Sequence, residues 1–167
     1  MPTPVVIDPE APALAARIEH IYISPGHNFF YRDRQNPETY PAVSLPEVNC
    51  VAGCGLEGDR FFGFKENYKG QVTFFDLAVF DALSHALGIF DKAPGVLRRN
   101  VFVRGLDLNA LIGKKFSLQG IVFEGTQECA PCPWMNYSFG KGAEEFMKTR
   151  GGLRAKILTS GPLRVGA

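Results

Sequence analysis

Two cysteines three positions apart, Cys129 and Cys132, are the side chains of this sequence best suited to chemistry. They follow an apolar run that is typical of a strand, and Pro131, Pro133 and Trp134 lie beside them. Two thiols at this spacing can share a metal ion, close a redox disulfide, or present one activated thiolate next to a neighbour that resolves or shields it. Because a loop with two prolines is a poor place for core packing, we interpret the pair as functional rather than as two buried small side chains.

A second group of polar side chains lies in the glycine-rich segment Gly55 to Arg60. Here Asp59 and Arg60 directly follow Gly58, so a flexible backbone, a carboxylate and a guanidinium come together. An arginine offers a rigid fork of donors that suits phosphate or carboxylate, and an aspartate can orient it or accept from a ligand hydroxyl or amine. Taken alone, the segment is explained equally well as a surface turn with a local ion pair.

A third group, Arg98, Arg99 and Asn100, stands just before a run that is typical of a strand. Its basic and amide donors can close around an anion, or they can mark an exposed helix end. Each group is ambiguous by itself. The two arginine-containing groups together predict an anionic ligand.

The size and charge of the chain limit the classes of function. Its 167 residues fit one domain, since ordinary domains have roughly 100–200 residues. We therefore predict a single domain over residues 1–167, with a loose N-terminal segment at residues 1–16. The formal net charge of +1 provides no broad cationic surface, which argues against a nucleic acid as partner.

The sequence also argues against a membrane protein. Its apolar stretches are interrupted by charge well short of the ~20 residues that a membrane-spanning helix needs. Residues 1–10 contain acids and prolines where a secretory signal has a basic start and an apolar core. We therefore predict a cytoplasmic protein that binds no membrane, and in that compartment its four cysteines stay mostly reduced.

The hydrophobic pattern indicates the elements that position these groups. The clearest helix begins after Asp76, a favourable N-cap, and ends at Gly88. The other predicted elements are strands at Arg17–Ser24, Asn100–Arg104, Lys115–Leu118, Ile121–Glu124 and Arg154–Thr159, short helices at Leu108–Ile112 and Ala143–Arg150, and a long loop at His27–Glu47. Strands outnumber helices and do not alternate with them as βαβ units would. The prediction is a mainly β, β-barrel-like fold with a few short peripheral helices.

The motifs occur in an order that resembles a known family. In chain order they are Gly58-Asp59-Arg60, Gln71-Val72-Thr73, Arg99-Asn100, the segment Gly105 to Gly113, the Pro131-Cys132 thiol and Gly151-Gly152-Leu153. This set resembles the MOSC family, the domains similar to the C-terminal part of molybdenum cofactor sulfurase. The resemblance runs from about Ile18 to near the end of the chain. It implies a small stand-alone domain with a mainly β, barrel-like core that handles the molybdenum cofactor or carries sulfur through a cysteine.

The resemblance also implies roles for individual residues. Cys132, which follows Pro131, becomes a persulfide carrier or a thiolate ligand to molybdenum, and Cys129 becomes its resolving neighbour. The residues implied to bind the cofactor, molybdopterin, are Gly58, Asp59, Arg60, Gln71, Arg99, Asn100 and His27. His27 is included as a substitute polar group, because this chain has Phe61 where the family often has a histidine after Gly-Asp-Arg.

Both roles require other molecules. A sulfur-transfer or molybdenum-dependent oxidoreductase system needs a sulfur donor or an electron-transfer protein, together with a small-molecule substrate. The electron-transfer protein must be separate, because the sequence contains no flavin, haem or iron–sulfur motif. The resemblance further implies an association with pyridoxal phosphate.

Two alternatives remain open from the sequence. Cys50 and Cys54 form a second pair, and with Cys129 and Cys132 they would make a four-cysteine structural zinc site. The long separation of the two pairs is unlike a compact zinc ribbon. The other alternative is a non-catalytic barrel that binds an anionic metabolite and performs no chemistry of its own.

Overall fold

The computed structural model describes residues 10–26 and 40–166. Strands β1 to β10 are Ile18–Ile23, Val43–Ser44, Glu47–Val51, Gly55–Leu56, Val72–Asp76, Val101–Val103, Lys115–Leu118, Ile121–Glu128, Leu153–Ile157 and Gly161–Arg164. Helices α1 to α3 are Leu77–Leu87, Trp134–Ser138 and Ala143–Phe146, and single 3-10 turns lie at Pro94–Leu97 and Asn109–Leu111.

The strands form two sheets. Seven strands pair in the order β2-β1-β6-β5-β9-β8-β7, and three pair in the order β10-β3-β4. The prediction of a mainly β fold with a few short helices is confirmed. Within the described part of the chain, however, the strands make two open sheets rather than one closed barrel.

One βαβ unit stands at the centre of the larger sheet, although the sequence analysis predicted none. Strands β5 and β6 are parallel, and α1 connects them. Asp76 produces the connection, because it ends β5 and then caps α1, where its Oδ1 accepts a hydrogen bond from the Ala78 N–H at 2.9 Å. Gly88 ends the helix with φ of 66°, as predicted.

The larger sheet has an apolar cluster on each face. Phe74 and Phe75, neighbours on β5, belong to different clusters because successive side chains of a strand point to opposite faces. The Phe74 cluster includes Val48 and Leu163, so it lies between the two sheets. The Phe75 cluster includes Leu83 and Met135, so it packs the helices against the other face. The order of layers is therefore small sheet, large sheet, helices.

The hairpin that leads to Cys129 agrees with the prediction. Lys115–Leu118 pairs with Ile121–Glu128. The two turn residues, Gln119 and Gly120, have positive φ of 53° and 79°, as a two-residue hairpin turn requires. The second strand is longer than predicted and ends directly before Cys129.

Several short elements differ from the prediction. Strands β3, β4, β5 and β10 and helix α2 were not predicted. The helical segments predicted at Leu108–Ile112 and Ala143–Arg150 are shorter, at Asn109–Leu111 and Ala143–Phe146. The predicted loop at His27–Glu47 contains β2 near its end, and residues 27–39 of it lie outside the described residues.

No helix within residues 10–26 and 40–166 is long and apolar enough to cross a membrane. The cytoplasmic location stays a prediction.

Candidate functional site

A cavity of about 310 Å³ opens beside the loop that follows β8. Its volume is near the lower end of the range of roughly 300–1,000 Å³ that is usual for small-molecule sites. Its lining residues are Arg60, Phe61, Phe64, Tyr68, Gly70, Thr73, Arg98, Arg99, Cys129, Ala130, Cys132, Trp134, Met135 and Arg154. The cavity therefore brings together both cysteines of the Cys129–Cys132 pair and both predicted arginine groups.

The two thiols occupy different positions in the cavity wall. Cys129 is buried, with 6% of its surface exposed, and its N–H donates to the Gly152 carbonyl at 2.8 Å. Cys132 is half-buried and packs against the helix-side cluster, and its carbonyl accepts from the Met135 N–H at 2.9 Å at the start of α2. Both are free thiols. Cys132 is the more accessible of the two.

Asp59 organises the loop that carries Arg60. The Asp59 carboxylate is buried, and it accepts from the Ser24 N–H at 3.0 Å and from the Phe61 N–H at 3.3 Å. The Nη1 of Arg60 donates to the same carboxylate at 3.3 Å, and the guanidinium lies 4.6 Å from the centre of the Phe61 ring. Asp59 thus orients Arg60, while Arg60 itself faces the cavity.

The cavity carries an excess of positive charge. Arg60, Arg98, Arg99 and Arg154 all line it, and Asp59 forms an ion pair with Arg60. The pKa of Arg98 is lowered to about 10, first by burial and then by the charge of Arg60, against the opposing effect of Asp59. The pKa of Arg60 is likewise lowered, mainly by burial, and the charge of Arg99 contributes. A half-buried cavity with several guanidinium groups favours an anionic ligand, because an opposite charge nearby stabilises their charged form.

Two of the predicted residues, Gln71 and Asn100, lie away from the cavity wall and join strands. The Oδ1 of Asn100 accepts from the backbone N–H and from the hydroxyl of Thr73, both at 3.0 Å. Its Nδ2 donates to the Tyr22 carbonyl at 3.0 Å, so Asn100 connects β6 with β5 and β1. The Oε1 of Gln71 accepts from the Ile157 N–H at 2.9 Å.

The remaining predicted residues take other places. Gly58 has φ of 86° in the turn before Asp59, a conformation that suits glycine. His27 lies outside the described residues.

Arg154 and an aromatic wall also line the cavity, and neither was predicted from the sequence. Arg154 stands opposite Thr73 in the β5–β9 pairing, so both side chains reach the cavity. Phe61, Phe64 and Tyr68 contact one another, and the Phe61 and Tyr68 rings stack at 5.4 Å. The alternation along β9, where Leu153, Ala155 and Ile157 are buried, was a usable signal for Arg154. The aromatic wall gave no such signal, because it belongs to irregular turns.

The geometry does not support the four-cysteine zinc site. Cys50 belongs to β3 in the core between the sheets, with 1% of its surface exposed, and burial raises the pKa of its thiol to about 12. Cys54 lies in the turn after β3. Among the residues that the structure describes, no three Cys, His, Asp or Glu side chains are placed to hold one metal ion. The two cysteine pairs are therefore separate, and this alternative was wrong.

Comparisons with known proteins agree with the fold. A family model described as "MOSC domain" matches residues 62–167. No curated protein matches the chain. The crystal structure of the YUAD protein from Bacillus subtilis is similar with a TM-score of 0.66 at 17% identity, over 90% of this chain and 92% of that chain.

Two further crystal structures are similar in fold. YiiM from Geobacillus stearothermophilus has a TM-score of 0.66 at 12% identity, over 91% of this chain and 72% of that chain. YiiM from Escherichia coli has a TM-score of 0.61 at 15% identity, over 89% of this chain and 65% of that chain. This chain therefore matches most of YUAD but only about two thirds of the YiiM chain from Escherichia coli.

Proposed function

The chain belongs to the MOSC domain family, and from this membership we propose that it binds the molybdenum cofactor in the cavity beside Cys132, with the Cys132 thiolate as a ligand to molybdenum. The resemblance predicted from the motifs is thereby confirmed for the family, which is generally associated with this cofactor. The observation that carries the proposal is that the thiols and four arginines line one cavity.

The chemistry of the lining fits the cofactor in two respects. Thiolates are soft ligands, and Cys132 offers one that is half-buried rather than inert in the core. The phosphate and oxo groups of the cofactor are anionic, and the cavity presents an excess of guanidinium groups.

The four arginines are suited to different tasks. Arg98 donates to the Tyr40 carbonyl at 2.7 Å, to the Ser24 hydroxyl at 2.6 Å and to the Gly26 carbonyl. Arg99 donates to backbone carbonyls as well. Arg60 donates one hydrogen bond, to the Asp59 carboxylate. Within the described residues, the guanidinium of Arg154 makes no hydrogen bond. We assign Arg60 and Arg154 to the anionic groups of the ligand.

The aromatic wall supports the same ligand. Phe61, Phe64 and Tyr68 all line the cavity, and the Phe61 and Tyr68 rings stack at an angle of 26°, so this side of the cavity is aromatic. Flat rings pack favourably against such a surface, so a pterin ring system is well matched. Phe61 then takes the place of the family's histidine with apolar contact instead of a polar group.

The chain's own residues bind, orient and shield the cofactor. When bound, the cofactor supplies a molybdenum centre that exchanges electrons and oxygen with a small-molecule substrate. Arg60 and Arg154 neutralise its negative charge, and the aromatic wall excludes water from one side. Electrons come from a separate electron-transfer protein, and we place this system in the cytoplasm.

Reconstitution with isolated molybdenum cofactor tests the proposal. After gel filtration, the wild-type protein is expected to retain about one molybdenum per chain, and Cys132→Ser is expected to retain little. Cys54→Ser is the matched control, because Cys54 lies outside the cavity, and it is expected to bind as the wild type does. Equal retention by Cys132→Ser and wild type would instead indicate a non-catalytic anion-binding role.

A second candidate function, sulfur transfer, is favoured by the presence of both thiols in one cavity. The Cys132 thiolate takes the outer sulfur of a donor persulfide, and the donor leaves as a thiolate. Attack by the Cys129 thiolate on the sulfur of Cys132 then expels hydrosulfide and leaves a Cys129–Cys132 disulfide, which an external thiol reduces. Mass spectrometry of Cys129→Ser, which cannot form the disulfide, is expected to find one added sulfur on Cys132 after exposure to a persulfide donor, and its absence excludes this function.

A further inference from the structure

Arg99 is a buried guanidinium whose hydrogen bonds, among the residues that the structure describes, all go to backbone carbonyls. The residue is 6% exposed. Its Nε donates to the Gly151 carbonyl at 2.8 Å, its Nη1 to the Leu97 carbonyl at 3.1 Å, and its Nη2 to the Cys129 carbonyl at 3.0 Å. The Nη2 also approaches the Ala130 carbonyl at 3.5 Å. One side chain therefore joins three segments of the chain.

This arrangement differs from the usual one for a buried charge. Buried arginines are normally paired with a carboxylate. Within residues 10–26 and 40–166, Arg99 forms no salt bridge, and its fork of donors is used instead to hold the start of the Cys129–Cys132 loop. Its contact with Gly151 fixes the loop against the segment that precedes β9.

Gly151 also contacts the start of the Cys129–Cys132 loop directly, through its backbone. A Cβ added to Gly151 would lie 2.2 Å from the Cys129 carbonyl oxygen and 2.9 Å from the Cδ of Pro131. Such approaches are far inside van der Waals contact, so only glycine permits the two backbones to lie together. The next residue, Gly152, accepts the Cys129 N–H at 2.8 Å. The backbone of Cys129 is thus held at its N–H and at its carbonyl.

We propose that Arg99 and Gly151 form a clasp that positions the Cys129–Cys132 loop, so that Arg99 is a positioning residue rather than a ligand-binding one. The clasp keeps Cys129 buried at the cavity wall and sets the direction in which the chain continues to Cys132. A lysine cannot replace Arg99, because one ammonium group lacks the planar fork that reaches three carbonyls. The clasp adds to the proposed function, and it rests on that function only for the chemical role of Cys129 and Cys132.

Alkylation of the four cysteines, measured separately, tests the clasp. The wild type, Arg99→Lys and Arg99→Met are treated with iodoacetamide under native conditions, and fragment spectra assign the label to each cysteine. Cys50, buried in the core between the sheets, reports global unfolding in the same sample. Arg104→Met is the matched control, because Arg104 is exposed and pairs with Asp81 at the surface.

The clasp predicts that Cys129 is labelled at least about tenfold faster in both Arg99 variants, while Cys50 stays protected and Arg104→Met behaves as the wild type. Unchanged labelling of Cys129 would overturn the proposal. So would labelling of Cys129 and Cys50 in parallel, or restoration of wild-type protection by lysine.

Gly151→Ala provides a second variant with an unaltered Arg99. Its added methyl group is expected to displace the loop and to speed Cys129 labelling by a similar factor, again with Cys50 protected. Wild-type labelling of Cys129 in this variant, or a rise that Cys50 shares, would contradict the clasp. Cofactor retention is measured on untreated aliquots of the same preparations, so a failure of cofactor binding in the wild type is distinguished from a failure of the clasp.

Discussion

At the scale of single residues, the four cysteines show how environment decides chemistry. Cys50 is enclosed by the core between the sheets, whereas Cys132 lies half-buried in a cavity lined by arginines. Spacing alone cannot tell a buried strand position from a loop position, so the sequence left open a metal site shared by the two pairs. The proposed role therefore belongs to Cys132 through its surroundings.

The raised pKa of Cys50 predicts a specific dependence of stability on pH. Burial raises the pKa of the Cys50 thiol from the ordinary value of 9.0 for a cysteine to about 12 in the fold. Between these values the unfolded state loses the proton and the folded state keeps it, so the free energy of unfolding falls by up to about 1.4 kcal/mol per pH unit. Well below pH 9 both states keep the proton, so the titration of Cys50 does not lower the free energy of unfolding there.

Urea unfolding between about pH 8 and about pH 10.5 measures this effect. The wild type is expected to lose stability more steeply than Cys50→Ala, which has no thiol to titrate. Val48→Ala, in the same strand and also buried, is the control for cavity formation, and it should be less stable at every pH while keeping the wild-type slope. Equal slopes for wild type and Cys50→Ala would contradict the assignment.

The assignment of Arg60 and Arg154 to the anionic groups of the ligand gives a second prediction for single residues. Arg60→Met and Arg154→Met are each expected to weaken cofactor binding about tenfold or more, because charge-assisted hydrogen bonds to anions are lost. Titration of each variant with the cofactor at two salt concentrations measures the affinity and its dependence on ionic strength. Arg104→Met serves as the surface control, and wild-type affinity in Arg154→Met would remove that residue from the site.

The predictability of the site also differs from residue to residue. The sequence singled out Cys129, Cys132, Arg60 and Arg99 from short local motifs, and these four side chains line one cavity. Asn100 and Gln71 were predicted to contact the ligand, but their side-chain amides bond the backbone of neighbouring segments. An amide uses the same donor and acceptor atoms for either purpose, so the residue type alone does not distinguish them.

At the scale of elements, prediction succeeded where a short sequence motif determines the local structure. The hairpin at Gln119-Gly120 and helix α1 with its caps are specified by turn and capping residues that sequence reasoning recognises. Strand β5 was missed because apolar clusters cover both faces of the sheet there, so no polar alternation marks the strand. Helix α2 has no capping side chain to signal its start.

The cap of α1 gives a prediction for this scale. Asp76→Ala removes the acceptor of the Ala78 N–H and is expected to lower the free energy of unfolding by about 1 kcal/mol. Asp91→Ala, an exposed position outside any helix or strand, is expected to change it by less than about 0.5 kcal/mol. Equal effects of the two substitutions in urea unfolding would show that Asp76 contributes nothing beyond its charge.

At the scale of the whole molecule, the site exists only because the layers assemble. The cavity collects side chains from the turn after β4, from the segment before β6, from the loop after β8 and from β9. These segments are distant in sequence, and the small sheet and the helices hold opposite faces of the sheet that joins them. The alternation along β9 indicates only which face of the strand carries Arg154, and no local pattern places Arg154 or the aromatic wall beside Cys132.

Protection of Cys132 by bound cofactor tests the central claim most directly. The wild-type protein is alkylated with and without saturating molybdenum cofactor, and the label on each cysteine is measured by mass spectrometry. If the Cys132 thiolate is the ligand, its labelling falls at least about tenfold when the cofactor is bound, while Cys54 is labelled at the same rate in both samples. Equal labelling of Cys132 in protein that has demonstrably bound the cofactor would contradict the account.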